Sequence, residues 1–149
     1  MALAGQFTIL LLEDQEDDAF LLKRAFKQAG IQAPIQVVQD GLEGIAYLQG
    51  AGIYSDRNRY PVPRVILLDL KMPRMGGLEF LEWIEKNPHL RVIPTIVLTS
   101  SQLASDVKRA YELKASTFMV KPTSPDDMAE LARAIEAYWQ RALTPLDVG

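Results

Sequence analysis

The fold is decided by the stretch VILLDLKMP at residues 65–73. Its first four residues are apolar, and with prolines on both sides the run is too short for a helix. Such a run is typical of a strand in a parallel sheet that is buried on both faces. Asp69 then stands at the carboxyl end of this strand. Because open α/β sheets bind ligands just beyond the carboxyl ends of their strands, Asp69 is a candidate functional residue.

A second apolar run, TILLLED at residues 8–14, also ends in carboxylates. If its strand lies parallel to the first and beside it, Glu13, Asp14 and Asp69 converge on one edge of the sheet. Carboxylates that lie so close repel one another, because each like-charged neighbour raises the pKa of the others. A bound hard cation with oxygen ligands relieves this repulsion. The two runs therefore predict a divalent-cation site.

Composition narrows the class of protein. With 149 residues, 48% of them apolar, the chain is long enough for one domain and too short for two ordinary domains. The absence of cysteine excludes disulfides and a cysteine nucleophile, and it suits the cytoplasm. No secretory signal is recognisable, and no apolar stretch approaches the roughly 20 residues that cross a bilayer. A net charge of -3 argues against direct nucleic-acid binding and favours proteins or small ions as partners.

The rest of the chain alternates strand and helix patterns. Beyond the two apolar runs, short strands are predicted at residues 35–39, 93–98 and 117–120. Residues 53–63 have no consistent period and predict a long surface loop. Five strands alternating with five helices predict a doubly wound parallel α/β sheet with helices on both faces. The second helix is expected to carry its apolar side on Leu42, Ile45, Ala46 and Leu48.

Polar side chains stand at the ends of four predicted strands, namely Glu13 with Asp14, Asp69, Thr99 and Lys121. Such a set can bind a divalent cation and use a carboxylate oxygen as a nucleophile on phosphorus. The hydroxyl and the ammonium can neutralise the charge that develops on the phosphoryl group. Phosphoryl transfer to an aspartate therefore fits these residues best.

The motifs at these strand ends resemble those of a response-regulator receiver domain. They are the acid pair, LDLKMPRMGG at 68–77, LTS at 98–100 and VKP at 120–122. The resemblance covers about residues 7–141, so residues 1–149 are interpreted as one receiver domain with the flavodoxin-like strand order 2-1-3-4-5. The long loop before the central strand and the stretch at 87–94 further resemble small stand-alone regulators of bacterial phytochrome kinases.

The resemblance implies a role for each acid. Asp69 would accept a phosphoryl group from a sensor histidine kinase, which could be a bacterial phytochrome. Glu13, Asp14 and Asp69 would hold Mg²⁺, with the backbone carbonyl of Lys71 as a further ligand. The protein would then signal to a downstream protein target by a conformational change.

The resemblance also implies a switch. Thr99 would bond the phosphoryl oxygen, Lys121 would pair with it, and Phe118 would be the aromatic residue that turns inward. The Lys121–Pro122 bond is expected to be cis. The family often has glycine near Lys114, where a helix end favours left-handed backbone, so a different cap is expected there.

Two other functions remain open at this stage. An aspartyl-phosphate phosphatase also carries a nucleophilic aspartate after a strand, but those enzymes resemble Asp-x-Asp, and Lys71 occupies the second position here. A flavodoxin-like binding module would need hydroxyls or glycines after the first strand, where this chain has acids. The leading interpretation is not an enzyme but a phosphoacceptor switch, with at most self-catalysed phosphorylation and dephosphorylation.

Two surface features complete the sequence-based expectations. Glu16, Asp17 and Asp18 are interpreted as solvated acids of a first helical turn, where they suit the helix dipole. The last helix can either bury its apolar stripe or offer it to a partner, including a second copy of the chain. That stripe consists of Ile135, Tyr138, Trp139 and Leu143.

Overall fold

The computed structural model describes residues 8–99, 104–113, 115 and 117–141, without the side chains at 99, 104–106 and 138–141. The five strands are β1 (Ile9–Leu12), β2 (Ile35–Val38), β3 (Val65–Leu68), β4 (Thr95–Thr99) and β5 (Thr117–Val120). The five α-helices are α1 (Glu16–Gln28), α2 (Gly41–Gln49), α3 (Gly77–Glu85), α4 (Ala104–Glu112) and α5 (Pro125–Arg141). A short 3-10 helix, Gly52–Ser55, follows α2.

The strands form one parallel sheet in the order β2-β1-β3-β4-β5, which confirms the predicted fold class and strand order. The register pairs Leu12 at the end of β1 with Leu68 at the end of β3. The backbone N–H of Asp69 then donates to the Leu12 carbonyl over 3.1 Å. The acids that follow β1 and β3 therefore leave the sheet at the same edge.

The two central strands are buried on both faces, which explains their continuous apolar sequences. Leu10, Leu12, Ile66 and Leu68 face a core that α2, α3 and α4 cover. The alternate residues of the same strands face a second core that α1 and α5 cover; they are Ile9, Leu11, Val65 and Leu67. The helices thus lie on both sides of the sheet, as a doubly wound fold requires.

Helix α2 packs through most of the predicted side, with one exception. Leu48 is buried and Ile45 packs against the core, as predicted, but Leu42 is exposed, and Gly44 and Tyr47 are buried as well. A Cβ added to Gly44 would lie 2.7 Å from a Leu12 methyl and 2.9 Å from the Phe80 ring. The helix therefore approaches the sheet closely at Gly44, and Leu42 lies outside this contact.

The segment after α2 is a surface loop, as predicted, apart from the short 3-10 helix, and side-chain contacts anchor it. The Arg57 guanidinium donates to the carbonyls of Tyr47, Leu48 and Tyr60 over 2.9–3.1 Å. It thereby caps the last carbonyls of α2, which have no partner within the helix. The rings of Tyr47, Tyr54 and Tyr60 pack together with centroids 4.9–6.1 Å apart. A single cation and an aromatic cluster thus fix the loop on the α2 side of the sheet.

Some expectations fall outside the described residues, namely those on Lys114 and on the side chains of Tyr138, Trp139 and Leu143. Ile135 is buried against the α1 side of the core, so it belongs to the interior and not to an exposed stripe. Within the described part of the chain, no helix combines the length and apolar character needed to span a membrane.

Candidate functional site

Three carboxylates gather where β1 and β3 end. Glu13, Asp14 and Asp69 each present an oxygen, and these oxygens lie within 4.8 Å of one another. Glu13 and Asp69 are buried, with 4% and 8% of their surface exposed, while Asp14 is half-buried. The structure therefore brings together the three acids that the sequence predicted at one sheet edge.

Local backbone bonds orient the two buried acids. The N–H of Gln15 donates to Glu13 Oε2, and the N–H of Lys71 donates to Asp69 Oδ1, each over 3.1 Å. Behind Asp69, helix α3 begins so close that a Cβ on Gly77 would lie 2.6 Å from the Asp69 carbonyl oxygen. Glycine is therefore required at that position to keep the Asp69 turn and the helix in contact.

The Lys121 ammonium closes the site from β5. Its Nζ forms an ion pair with Glu13, lies 2.8 Å from Asp18 Oδ2 and lies 3.3 Å from Asp69 Oδ2. Burial by itself lowers the pKa of Lys121, but the hydrogen bonds to Asp18 and Glu13 and the charge of Asp69 outweigh it and raise the pKa. Lys121 is therefore a permanent cation in this cluster of acids.

The contact between Lys121 and Asp18 adds a partner that the sequence did not predict. Asp18 lies in the first turn of α1 and its side chain is 39% exposed, as expected for a helix acid, but its carboxylate also pairs with the Lys121 ammonium. The predicted cis Lys121–Pro122 bond is also wrong, since no described peptide bond is cis. The trans form is the intrinsically favoured one for an X–Pro bond, and in it the ammonium already reaches Asp69.

Burial, which lowers the pKa of Lys121, raises the pKa of Glu13. Desolvation raises the pKa of the Glu13 carboxyl, while the hydrogen bonds from Lys121 and the Gln15 N–H oppose the rise. The charge of Asp69 adds to the rise. The carboxylates thus favour an additional positive charge between them.

The chain matches a known protein family over most of its length. The family described as "Response regulator receiver domain" matches residues 9–133. The chain belongs to the receiver-domain family. It is 36% identical over 136 residues to the response regulator Rcp1 of Synechocystis sp., a match that covers 91% of this chain and 90% of that protein.

Two solved structures are also similar to this chain. The phosphorylated cyanobacterial phytochrome response regulator RcpA is 30% identical with a TM-score of 0.85, and the match covers 94% of this receiver domain and 99% of that chain. A Mn²⁺-bound form of Rcp1 is 35% identical with a TM-score of 0.82, covering 93% and 99% respectively. The predicted resemblance to regulators associated with phytochromes is therefore confirmed. Neither the family match nor these relatives support the phosphatase alternative.

The remaining residues predicted for the receiver-domain site lie on β4 and β5. Thr99 ends β4 and pairs with Val120, so its backbone is next to the strand that carries Lys121. The Thr99 side chain lies outside the described set. Phe118 is half-buried, and its N–H donates to the Tyr111 hydroxyl of α4 over 3.3 Å. The predicted roles of Thr99 and Phe118 remain predictions.

An ion pair that sequence reasoning missed holds the loop after Asp69. Arg74 adopts a left-handed conformation, with φ of 63°, and its Nε donates to Asp40 Oδ2 over 2.6 Å. Asp40 is buried and also accepts from the Glu43 N–H at the start of α2. The N–H of Gly41, the residue after Asp40, donates to the Met75 carbonyl over 2.9 Å. The loop of the receiver domain that carries Lys71 is thereby fixed to the β2–α2 turn.

The acid cluster fits a hard divalent cation. Such ions lie about 2.0–2.6 Å from their oxygen ligands, so oxygens up to roughly 4–5 Å apart can share one ion. The donors here are all oxygens, and Lys121 already balances part of their charge. Glu13, Asp14 and Asp69 can therefore hold Mg²⁺ or Mn²⁺ without ligands of another type.

Proposed function

We propose that the chain accepts a phosphoryl group on Asp69 from a histidine kinase and transmits the signal to a protein partner. The observation that carries the proposal is the position of Asp69, at the end of the central strand between the β1 acids and Lys121. Asp69 is thus the acid of the central strand, with the β1 acids beside it and the Lys121 ammonium 3.3 Å from its Oδ2. Glu13 and Asp14 lie at the β1 side of this arrangement.

The proposed metal set is Glu13, Asp14, Asp69 and the backbone carbonyl of Lys71. The convergence of the three acids supports it, and so does the turn at Lys71, whose N–H is already bound to Asp69. Bound Mg²⁺ would supply positive charge next to the phosphoryl oxygens. The Mn²⁺-bound form of Rcp1 is a relative in which a divalent ion is bound.

The transfer step needs no further cofactor. An Asp69 carboxylate oxygen attacks the phosphorus of a phosphohistidine, an O–P bond forms, and the N–P bond breaks. The electron pair of the N–P bond returns to the imidazole nitrogen. Lys121 pairs with the phosphoryl oxygens, and the Thr99 hydroxyl donates to one of them. The protein thus acts as a switch that is changed by the phosphoryl group it receives. At most, it catalyses its own phosphorylation and dephosphorylation.

The output proposed for this switch is a change of the surface formed by α4, β5 and α5. Phosphorylation adds about two negative charges, which draw Thr99 and Lys121 inward and leave space for Phe118. Tyr111 and Val120 are exposed on this surface, which supports a protein partner there. A homodimer through the last helices is one form that such a contact can take.

The kinase proposed as partner belongs to the bacterial phytochromes. The similarity to RcpA, a cyanobacterial phytochrome response regulator, supports this choice. We further propose that residues 1–149 act as one receiver domain and that the exchange takes place in the cytoplasm. The lack of cysteine fits that reducing compartment.

Phosphorylation by acetyl phosphate tests the proposal. The protein is incubated with acetyl phosphate and Mg²⁺, and its intact mass is measured. We expect the parent to gain one phosphoryl mass and Asp69→Asn to gain none, because an amide is a poor nucleophile. Asp17→Asn, which removes an exposed acid of α1, serves as the control and should match the parent. Equal phosphorylation of Asp69→Asn and the parent would show that the acceptor is another residue.

A further inference from the structure

The Lys121 ammonium has three carboxylate partners, and one of them is outside the metal set. Glu13 and Asp69 belong to the acids whose oxygens converge on one point. Asp18 does not, although its oxygen is 2.8 Å from Nζ, closer than the 3.3 Å of Asp69. An ammonium has three N–H donors, so these three carboxylates can occupy all of them. A phosphoryl group on Asp69 would need at least one of these donors.

The three partners differ in how easily they release the ammonium. Glu13 is 4% exposed, so water cannot replace the ammonium beside its carboxylate. Asp69 is the residue that carries the phosphoryl group. Asp18 is 39% exposed, and water can solvate its carboxylate when the ammonium leaves. Asp18 is therefore the carboxylate that releases the Lys121 ammonium most easily.

We propose that Asp18 is a positioning residue that competes with the phosphoryl group for the Lys121 ammonium. In the unphosphorylated protein it holds Nζ toward the mouth of the site, across the gap between α1 and β5. In the phosphorylated protein the ammonium turns to the phosphoryl oxygens, and Asp18 returns to solvent. The inference deepens the proposed function and rests on it, since it assumes that Asp69 is the acceptor.

The competition has a defined sign. A ligand shifts an equilibrium only by its different affinity for the two states, and Asp18 binds the ammonium in the unphosphorylated state. Removing its charge should favour the phosphorylated form. Half-exposed ion pairs correspond to changes of about two- to five-fold in an equilibrium, so a change of this size is expected.

Steady-state phosphorylation by acetyl phosphate tests the inference. The acetyl phosphate concentration that gives half-maximal phosphorylation is measured at saturating Mg²⁺ for the parent, Asp18→Asn and Asp17→Asn. Asp17 is the matched control, because it is an exposed acid in the same helical turn. We expect Asp18→Asn to lower this concentration about two- to five-fold and Asp17→Asn to change it less than two-fold.

Two further measurements separate positioning from other roles. Asp18→Glu retains the charge and should stay close to the parent, whereas a packing role would be disturbed by either substitution. The Mg²⁺ dissociation constant, measured by calorimetry, should be the same for Asp18→Asn and Asp17→Asn, because Asp18 is not a metal ligand.

The inference is overturned if Asp18→Asn behaves like Asp17→Asn, if it raises the half-maximal concentration, or if Asp18→Glu behaves like Asp18→Asn. A larger loss of Mg²⁺ affinity in Asp18→Asn than in Asp17→Asn would assign Asp18 to the metal instead. Failure of the parent to become phosphorylated, or phosphorylation that persists in Asp69→Asn, would overturn the proposed function and this inference with it.

Discussion

Replacement of Arg74 tests how firmly the loop after Asp69 is held. Arg74 is 64% exposed, but its partner Asp40 is only 2% exposed, so Arg74→Ala leaves a carboxylate with little access to water. A hydrogen bond to a charged group contributes about 1.5–3 kcal/mol, and the exposure of the arginine reduces this value. We expect Arg74→Ala to lower the free energy of unfolding by about 1–2 kcal/mol.

Arg74→Gly separates the ion pair from the backbone. Both variants lose the contact with Asp40, but only glycine adopts the observed φ of 63° without a steric penalty. The left-handed conformation costs an L-residue about 1–2 kcal/mol, and the greater freedom of glycine in the unfolded chain offsets part of the gain. Arg74→Gly should therefore be about 0.5–1 kcal/mol more stable than Arg74→Ala.

Urea unfolding followed by circular dichroism measures both differences. Arg109→Ala is the control, because it removes an arginine whose partner, Glu82, is 45% exposed and can be solvated. Its effect should stay below about 1 kcal/mol. If Arg74→Ala is no more destabilising than Arg109→Ala, Asp40 does not depend on Arg74. If Arg74→Gly is less stable than Arg74→Ala, the argument from the left-handed backbone fails.

Three other variants test the core and the proposed metal site. Gly44→Ala should lower the unfolding free energy by about 1–3 kcal/mol, because the added methyl would lie 2.7 Å from a leucine methyl of β1. A melting temperature equal to that of the parent would contradict this close packing. Tyr47 donates its hydroxyl to the Pro61 carbonyl over 2.8 Å, and burial raises the pKa of Tyr47 to about 12. The folded-state pKa of Tyr47 lies above the unfolded value of 10.0. The stability that the protonated Tyr47 hydroxyl contributes is therefore complete below pH 10 and is lost as the pH rises toward 12. Denaturant unfolding across that range should show a smaller loss for Tyr47→Phe than for the parent. Glu13→Gln combined with Asp14→Asn should weaken Mg²⁺ binding strongly, since two of the three anionic ligands are lost, and an unchanged calorimetric titration would locate the ion elsewhere.

The sheet and the edge that carries the acids could be predicted because they depend on local patterns. A continuous apolar run such as 65–68 is stable as a strand only where both faces of the strand are covered. An acid directly after such a strand lies at the edge of the sheet where the strand ends. The convergence of Glu13, Asp14, Asp69 and Lys121 follows from the strand order and the register. The functions of these residues remain proposals that rest on the family and the geometry.

The contacts that sequence reasoning missed depend on side chains that meet across long separations. Asp18 and Lys121 are 103 residues apart, and their contact requires the actual distance between α1 and β5. Arg74 and Asp40 are 34 residues apart, and their contact depends on a left-handed residue that no turn signal marked. Helical periodicity placed Ile45 and Leu48 of α2 correctly but also placed Leu42 in the core, because it weights apolar side chains and ignores the close approach that Gly44 permits.

The hydroxyl of Tyr111 has a consequence for how the protein behaves at high concentration. β5 is the last strand of the sheet, so its outer side presents unpaired backbone groups to other chains. Such an edge can template the addition of a foreign strand and lead to aggregation. The Tyr111 hydroxyl occupies the Phe118 N–H on a strand of only four residues. A side chain of α4 thus leaves one backbone donor of β5 fewer for a foreign strand to pair with.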